Sequence, residues 1–125
     1  MTWDELATIQ CFAARWLTEA EEPRLWRAAC GRAYYAAYSA ITSRLAGGTR
    51  FAHGRQNPAH EALPGHVDQL PGLSQVGRRS VRRALRRLRA RREDADYRPG
   101  VTVDRRSALE SLRDVAEVFL ALGKE

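Results

Sequence analysis

Cysteine, lysine and long apolar runs are all scarce in this sequence. Its two cysteines, Cys11 and Cys30, lie inside apolar, helix-like segments, which argues against a fold organised by disulfides. No apolar run approaches the length that spans a bilayer, so we expect no membrane segment. Acidic residues, Asp4 and Glu5, stand where a signal peptide would carry its basic region. Together these absences predict a cytoplasmic protein.

Strand-like alternation of apolar and polar residues is also missing, whereas helical periodicity runs through most of the chain. A chain of 125 residues usually forms one domain, and we expect a single helical domain over 1–125. The predicted fold is all-α, a four- to five-helix up-down antiparallel bundle. The expected helices cover about 3–20, 23–45, a short broken stretch after Pro58, 74–96 and 103–122.

Capping residues and apolar stripes define the ends and the buried sides of these helices. Thr2 and Glu5 resemble a capping box for the first helix, and Thr102 is expected to cap the last. The stripe predicted for the first helix consists of Leu6, Ile9, Ala13, Trp16 and Ala20. The stripe predicted for the last helix consists of Leu109, Leu112, Val115, Ala116, Phe119 and Leu120.

Positive charge is concentrated in one segment. The formal net charge of the chain is +6, and residues 78–98 alone carry +7, so the remainder is close to neutral. This asymmetry is typical of a polyanion-binding protein, although a general preference for arginine also explains it. On a helix, most of these arginines lie opposite the apolar stripe, where they can contact a phosphate backbone. The candidate nucleic-acid-binding residues are Arg78, Arg79, Arg82, Arg83, Arg86, Arg87 and Arg89.

The stretch “RAACGRAYYAAYSA” combines alanines with tyrosines and arginines on one predicted helix. Its alanines allow a neighbouring helix to approach closely, and we interpret Tyr34 and Tyr38 as packing residues at the edge of the core. Arg32 and Tyr35 lie on another stripe and suit contacts with phosphates or bases. Arg92 flanks the apolar stripe of its own helix, so we expect its guanidinium to face the same polar cleft.

Two motifs carry a resemblance to a known family. Arg32-Ala33-Tyr34-Tyr35-Ala36-Ala37 precedes Arg92-Glu93-Asp94-Ala95-Asp96-Tyr97 in an all-helical chain. The pair resembles the HEPN family of small helical-bundle proteins, in the subgroup with an “RAYYA” helix and an “RxxADY” helix end, over about 5–122. The resemblance implies a bundle that is often a homodimer, nucleotide binding, and ribonuclease activity in toxin–antitoxin or other defence systems. It also implies that some members act with a minimal nucleotidyltransferase.

The sequence departs from the family at the histidine that follows the motif arginine in its active members. The permitted positions after Arg92 hold Tyr97, Arg98 and Pro99. A phenol is a poor base at neutral pH, so hydrolysis through the usual residue pair is doubtful. Candidate catalytic residues are Arg92, Tyr97 and His53, the last because it lies in a loop that the family shares. The substrate-binding residues that the resemblance implies are Arg32, Tyr35, Arg92, Asp96 and Tyr97.

The three histidines do not have the spacing of a metal site. His53, His60 and His66 lie in loop or broken-helix sequence, and no helical carboxylate–histidine motif or cysteine pair accompanies them. We interpret them as surface residues and expect neither a metal ion nor a cofactor.

Three hypotheses follow from these observations. The first is a HEPN-type module that binds RNA or nucleotide phosphates in a toxin–antitoxin or defence context, as a homodimer, with a minimal nucleotidyltransferase as a candidate partner. The second is an active, metal-independent endoribonuclease toxin with a remodelled site. The third is a structural dimerisation or adaptor module whose arginines contact an acidic protein.

Overall fold

The computed structural model describes residues 1–46, 60 and 62–124. Its helices are α1 (Trp3–Glu19), α2 (Pro23–Ala46), α3 (Leu63–His66), α4 (Gln75–Tyr97) and α5 (Arg105–Ala121), and a single 3₁₀ turn follows α3. The described residues contain no strand, and the helices pack against one another, which confirms the all-α bundle. Within the same ranges, no helix is long and apolar enough to cross a bilayer.

Polar side chains define where the helices begin. The Thr2 hydroxyl accepts a hydrogen bond from the backbone of Glu5, whose carboxylate accepts one from the Thr2 backbone, so the predicted capping box is present. Thr102 was expected to cap α5, and this prediction is wrong. The cap is Asp104, whose carboxylate accepts bonds from the backbone and hydroxyl of Ser107. These bonds favour the ionised form and lower the pKa of Asp104.

Helix α2 is the centre of the bundle and packs against α1, α4 and α5. α5 packs on α4 and α1 as well, which places α1 and α4 at opposite corners. The close packing around α2 depends on its small side chains, as the sequence predicts. The fully buried core that surrounds them includes Tyr34, Ile41, Leu85, Leu88, Val115 and Val118.

The apolar stripes predicted for the outer helices are partly wrong. In α1, Ile9 and Trp16 are exposed, whereas Ala7 and Ala14 are buried. In α5, Leu109, Ala116 and Leu120 are exposed, whereas the buried positions are Ala108, Ser111, Asp114, Val115 and Val118. Small side chains on α1 pack against the alanine-rich surface of α2, so the bulky residues of α1 lie on its other side. The bulky apolar residues therefore face outward.

Candidate functional site

Arg92 on α4 meets Tyr35 on α2 at the interface between the two helices. The Arg92 side chain is only 12% exposed. Its Nη2 donates to the Tyr35 hydroxyl at 3.1 Å and to the Tyr97 hydroxyl at 2.9 Å. Its Nε donates to Asp96 Oδ2 at 3.2 Å, one helical turn along α4. The structure thus brings together Tyr35, Arg92, Asp96 and Tyr97.

Aromatic rings surround the same guanidinium. Its central carbon lies 5.6 Å from the ring centroid of Tyr34, 5.3 Å from that of Tyr35 and 5.2 Å from that of Tyr97. A guanidinium within about 6 Å of a ring centroid gains a cation–π attraction. Three such rings and three hydrogen bonds hold the Arg92 side chain in one orientation.

One edge of the guanidinium is not used by this network. Nε and Nη2 of Arg92 donate within the cluster, but Nη1 has no hydrogen-bond acceptor in the part of the chain that the structure describes. Arginine carries two donors on that nitrogen, in a fixed planar geometry. A guanidinium that is already held in place and has an available Nη1 can bind an oxyanion without the entropic cost of ordering its side chain.

His60 joins this cluster, which the sequence did not indicate. Its Nδ1 lies 2.6 Å from the Tyr34 hydroxyl, and its ring centroid is 5.0 Å from that of Tyr38. The prediction that His60 is a surface residue is therefore wrong, because it is packed among the tyrosines of α2. Burial raises the pKa of Tyr34 to about 12, so its hydroxyl is neutral at physiological pH. An imidazole thus lies one tyrosine away from Arg92.

The other candidates lie elsewhere. Arg32 is exposed, and its Nη1 donates to Gln10 on α1 at 3.3 Å. Among the described residues, it makes no hydrogen bond or ion pair with Tyr35, Arg92, Asp96 or Tyr97. His53 lies outside the described residues. No group of three metal-ligating side chains is found within residues 1–46, 60 and 62–124.

The arginines of α4 divide into two groups, although all seven were expected to face solvent. Four of them contact other parts of the chain. Arg78 donates to the Leu70 carbonyl at 3.0 Å, Arg82 pairs with Asp68, Arg87 pairs with Asp114 and Glu117, and Arg89 pairs with Glu93. Part of the segment's positive charge is therefore neutralised within the fold.

The remaining three arginines are exposed and lie on one side of α4. Arg79, Arg83 and Arg86 have no acidic partner within 4 Å among the described residues. Their spacing places them along one line of the helix surface. We call Arg79, Arg83 and Arg86 the α4 arginine stripe.

Comparison with known proteins adds no assignment. No family model matches the chain, and a search of curated proteins finds no significant match. The resemblance to HEPN proteins stays a prediction from the two motifs.

Proposed function

We propose that the chain is a HEPN-type module that binds RNA or nucleotide phosphates at Arg92. The observation that carries the proposal is the guanidinium itself, which Asp96, Tyr35 and Tyr97 hold through Nε and Nη2, while Nη1 has no acceptor among the described residues. A phosphate oxygen is the acceptor that suits this geometry and charge. The homodimer, the toxin–antitoxin or defence context and a nucleotidyltransferase partner belong to the same proposal and are supported only by the resemblance. The cytoplasmic location also belongs to it and is supported by the sequence composition.

Single-stranded RNA suits the surroundings of Arg92 best. Tyr97 is largely exposed, and its ring offers a base a stacking surface next to the bound phosphate. The α4 arginine stripe lies on the same side of this helix as Tyr97, with neighbouring members separated by about 6 and about 4.5 Å along the axis. The combination of an aromatic surface and a line of cations is typical of proteins that bind single strands.

Arg92→Ala is expected to weaken binding of a short single-stranded RNA by about ten- to a hundredfold. The reason is the loss of charge-assisted hydrogen bonds, worth about 1.5–3 kcal/mol. Fluorescence anisotropy with a labelled oligonucleotide measures the effect. Arg92→Lys keeps the charge but not the planar fork, so it is expected to recover only part of the affinity.

Arg98→Ala is the matched control for this measurement. Arg98 also lies at the end of α4 and pairs with a carboxylate one turn away, Asp94 at 2.8 Å, but it is more exposed than Arg92. Its removal should leave affinity within about twofold of wild type. Unchanged affinity in a folded Arg92→Ala variant would remove the site assignment.

Cleavage of the RNA is the second candidate function, and His60 favours it. The hydrogen bond between His60 and Tyr34 brings an imidazole to a site where the motif histidine is absent. Release of fragments from end-labelled RNA would indicate the endoribonuclease, provided that His60→Ala and Arg92→Ala both abolish it. Binding of intact RNA without fragments would support the non-enzymatic module.

The salt dependence of binding separates RNA binding from an adaptor role. Replacement of Arg79, Arg83 and Arg86 by glutamine is expected to reduce the slope of log K against log salt concentration by about 2, since each neutralised phosphate of a single strand contributes about 0.7. The corresponding triple lysine variant should keep the slope, because it keeps the charge. Arg24→Gln, on an exposed arginine of α2, serves as a distant control. An unaltered slope in the glutamine variant would exclude the stripe from the RNA interface.

A further inference from the structure

An open groove lies between α3 and the second half of α4, and its volume is about 520 Å³. Sites of this size that combine apolar walls with a few polar groups are typical of small organic ligands. The groove has three apolar and three charged lining residues. We call this set the α3–α4 groove, and it consists of Pro64, Leu85, Arg86, Arg89, Ala90 and Glu93.

The groove fills the interval between the α4 arginine stripe and Tyr97. Helical spacing places Arg86, Ala90, Glu93 and Tyr97 on one line of α4. Ala90 is exposed, and its small side chain leaves open space in the middle of this line. A single strand that contacts both the stripe and the ring of Tyr97 therefore passes over the groove.

The Arg92 cluster is next to the groove on its other side. Arg89 precedes Arg92 by three residues, which is close to one turn of α4. Burial raises the pKa of Tyr34, and the charges of Arg89 and Arg92 oppose this effect. Both guanidiniums thus lie near the Tyr34 hydroxyl, so a phosphate bound at Arg92 has the groove beside it.

Arg89 and Glu93 present opposite charges on the same side of α4. Nε of Arg89 lies 3.1 Å from Oε1 of Glu93, but this nitrogen has no aligned hydrogen-bond acceptor among the described residues. The two side chains are 33% and 36% exposed, and ion pairs at such positions are weak. The guanidinium can therefore donate to a ligand, and the carboxylate can accept from one.

A carboxylate repels phosphate, so Glu93 suits the N–H donors of a base instead. Guanine carries two adjacent donors, N1–H and N2–H, which match the two oxygens of a carboxylate. It also carries two adjacent acceptors, O6 and N7, which match the planar fork of arginine. No other RNA base combines both pairs.

We propose that the α3–α4 groove binds a guanine base of the strand that Arg92 holds by a phosphate. Glu93 accepts from N1–H and N2–H, Arg89 donates to O6 and N7, and the apolar residues contact the base. Arg86, at the end of the stripe, contacts the neighbouring phosphate. Guanine recognition rests on the proposed function, since it requires RNA at Arg92.

Fluorescence anisotropy with four short RNAs tests the base preference. The probes are an oligouridylate and three copies of it in which one central uridine is replaced by guanosine, adenosine or cytidine. Wild type is expected to bind the guanosine probe about tenfold more tightly than the other three, the usual discrimination of a good bidentate contact. Equal affinity for all four probes, within about twofold, would overturn the proposal.

Glu93→Gln is expected to reduce the guanosine preference to about twofold or less, because the amide replaces one acceptor oxygen by a donor. Asp94→Asn is the matched control. Asp94 also lies on α4 and pairs with an arginine one turn away, Arg98 at 2.8 Å, but it does not line the groove. The control should keep the full preference. A preference that survives in Glu93→Gln would exclude Glu93 from base recognition.

Modified bases test the two contacts separately. Inosine lacks the N2 amine, so its probe should bind wild type about three- to tenfold more weakly than the guanosine probe, with no further loss in Glu93→Gln. A 7-deazaguanosine probe lacks N7 and should weaken binding to wild type but not to Arg89→Lys, which has no planar fork. If each variant is as sensitive as wild type to its modified base, the assigned contacts are wrong.

Arg92→Ala keeps this test distinct from that of the proposed function. It should weaken binding of all four probes by a similar factor and leave their order unchanged. Such a loss together with equal wild-type affinities for the four probes overturns guanine recognition alone. Affinities that Arg92→Ala leaves unchanged for every probe overturn the proposed function, and guanine recognition at a strand held by Arg92 with it.

Discussion

Replacement of Arg27 by methionine is expected to lower the free energy of unfolding by about 2–4 kcal/mol, the range for a part-buried charged group that satisfies several acceptors. Arg27 reaches from the first turns of α2 to the end of α4. Its Nη1 donates to the carbonyls of Asp94 and Ala95 at 3.1 Å, and Nη2 donates to that of Pro99 at 3.3 Å. It also contacts the carbonyls of Arg98 and Val101.

The size of this effect follows from the chemistry of a helix end. The last carbonyls of a helix have no partner within the helix, and the negative end of its dipole favours a cation. Methionine keeps much of the apolar stem of arginine but offers no donor. The carbonyls that accept from Arg27 must then accept hydrogen bonds from water or remain unpaired.

Urea unfolding followed by circular dichroism measures the loss. Arg24→Met is the matched control, because Arg24 lies on the same helix but is solvent-exposed. Its change should stay within about 0.5 kcal/mol, as is usual for surface substitutions. Equal losses in the two variants would show that Arg27 does not stabilise the end of α4.

Asp114→Ala is expected to lower the free energy of unfolding by about 2–4 kcal/mol. The Asp114 carboxylate on α5 is 5% exposed, and it accepts from Arg87 Nη2 at 2.8 Å and from Arg91 Nη1 at 2.6 Å. The hydrogen bond with Asp114 raises the pKa of Arg87. Removal of the carboxylate leaves two guanidiniums side by side at the α4–α5 interface. This range begins about 1 kcal/mol lower than the roughly 3–5 kcal/mol known for fully buried pairs, since water partly screens the charge of Arg87.

The double variant Asp114→Leu/Arg91→Leu tests whether the loss of stability comes from uncompensated positive charge or from the missing contacts of the carboxylate. If the cost comes from uncompensated charge, removal of a cation together with the carboxylate should recover about half of it or more. Glu110→Ala, at the exposed neighbour that lies 3.6 Å from Arg91, is the control and should change stability by less than about 1 kcal/mol. Equal costs for Asp114→Ala and Glu110→Ala would contradict the role given to the buried carboxylate.

Capping of helix ends by arginine explains part of the high arginine content of the chain. The sequence alone does not assign this role. Arg105 donates to the carbonyls at the end of α1, as Arg27 does at the end of α4. Neither helix is followed by a glycine in the left-handed conformation, whereas Gly123, with φ of 70°, terminates α5. Where the chain lacks that glycine, a guanidinium from another helix satisfies the helix end.

The sequence predicted the helices better than their orientation. Helical periodicity, the Thr2 capping box and Pro23 located the helices to within a few residues of where they lie. The buried sides of α1 and α5 were only partly predictable from hydrophobicity, because Ala7, Ala14 and Thr18 of α1 and Ala108, Ser111 and Asp114 of α5 are buried there. Packing distance selects small residues there, and a scale of hydrophobicity ranks small residues low.

The candidate site was likewise only partly predictable. The approach of Arg92 to Tyr35 follows from helical phase, since each residue flanks the apolar side of its own helix. The contribution of His60 does not, because no periodic pattern of the sequence fixes where His60 lies relative to α2. The same limit applies to Arg78 and Arg82, whose partners lie in the turn before α4.

The hydrogen bonds from Arg27 and Arg105 to distant helix ends also affect how the bundle unfolds. Arg27 of α2 donates to carbonyls at the end of α4, and Arg105 of α5 donates to a carbonyl just after α1. Fraying of either helix end therefore requires these hydrogen bonds to another helix to break. Amides in the last turns of these helices should therefore exchange with deuterium through global rather than local opening. We therefore expect the helices to unfold as one cooperative unit and not independently.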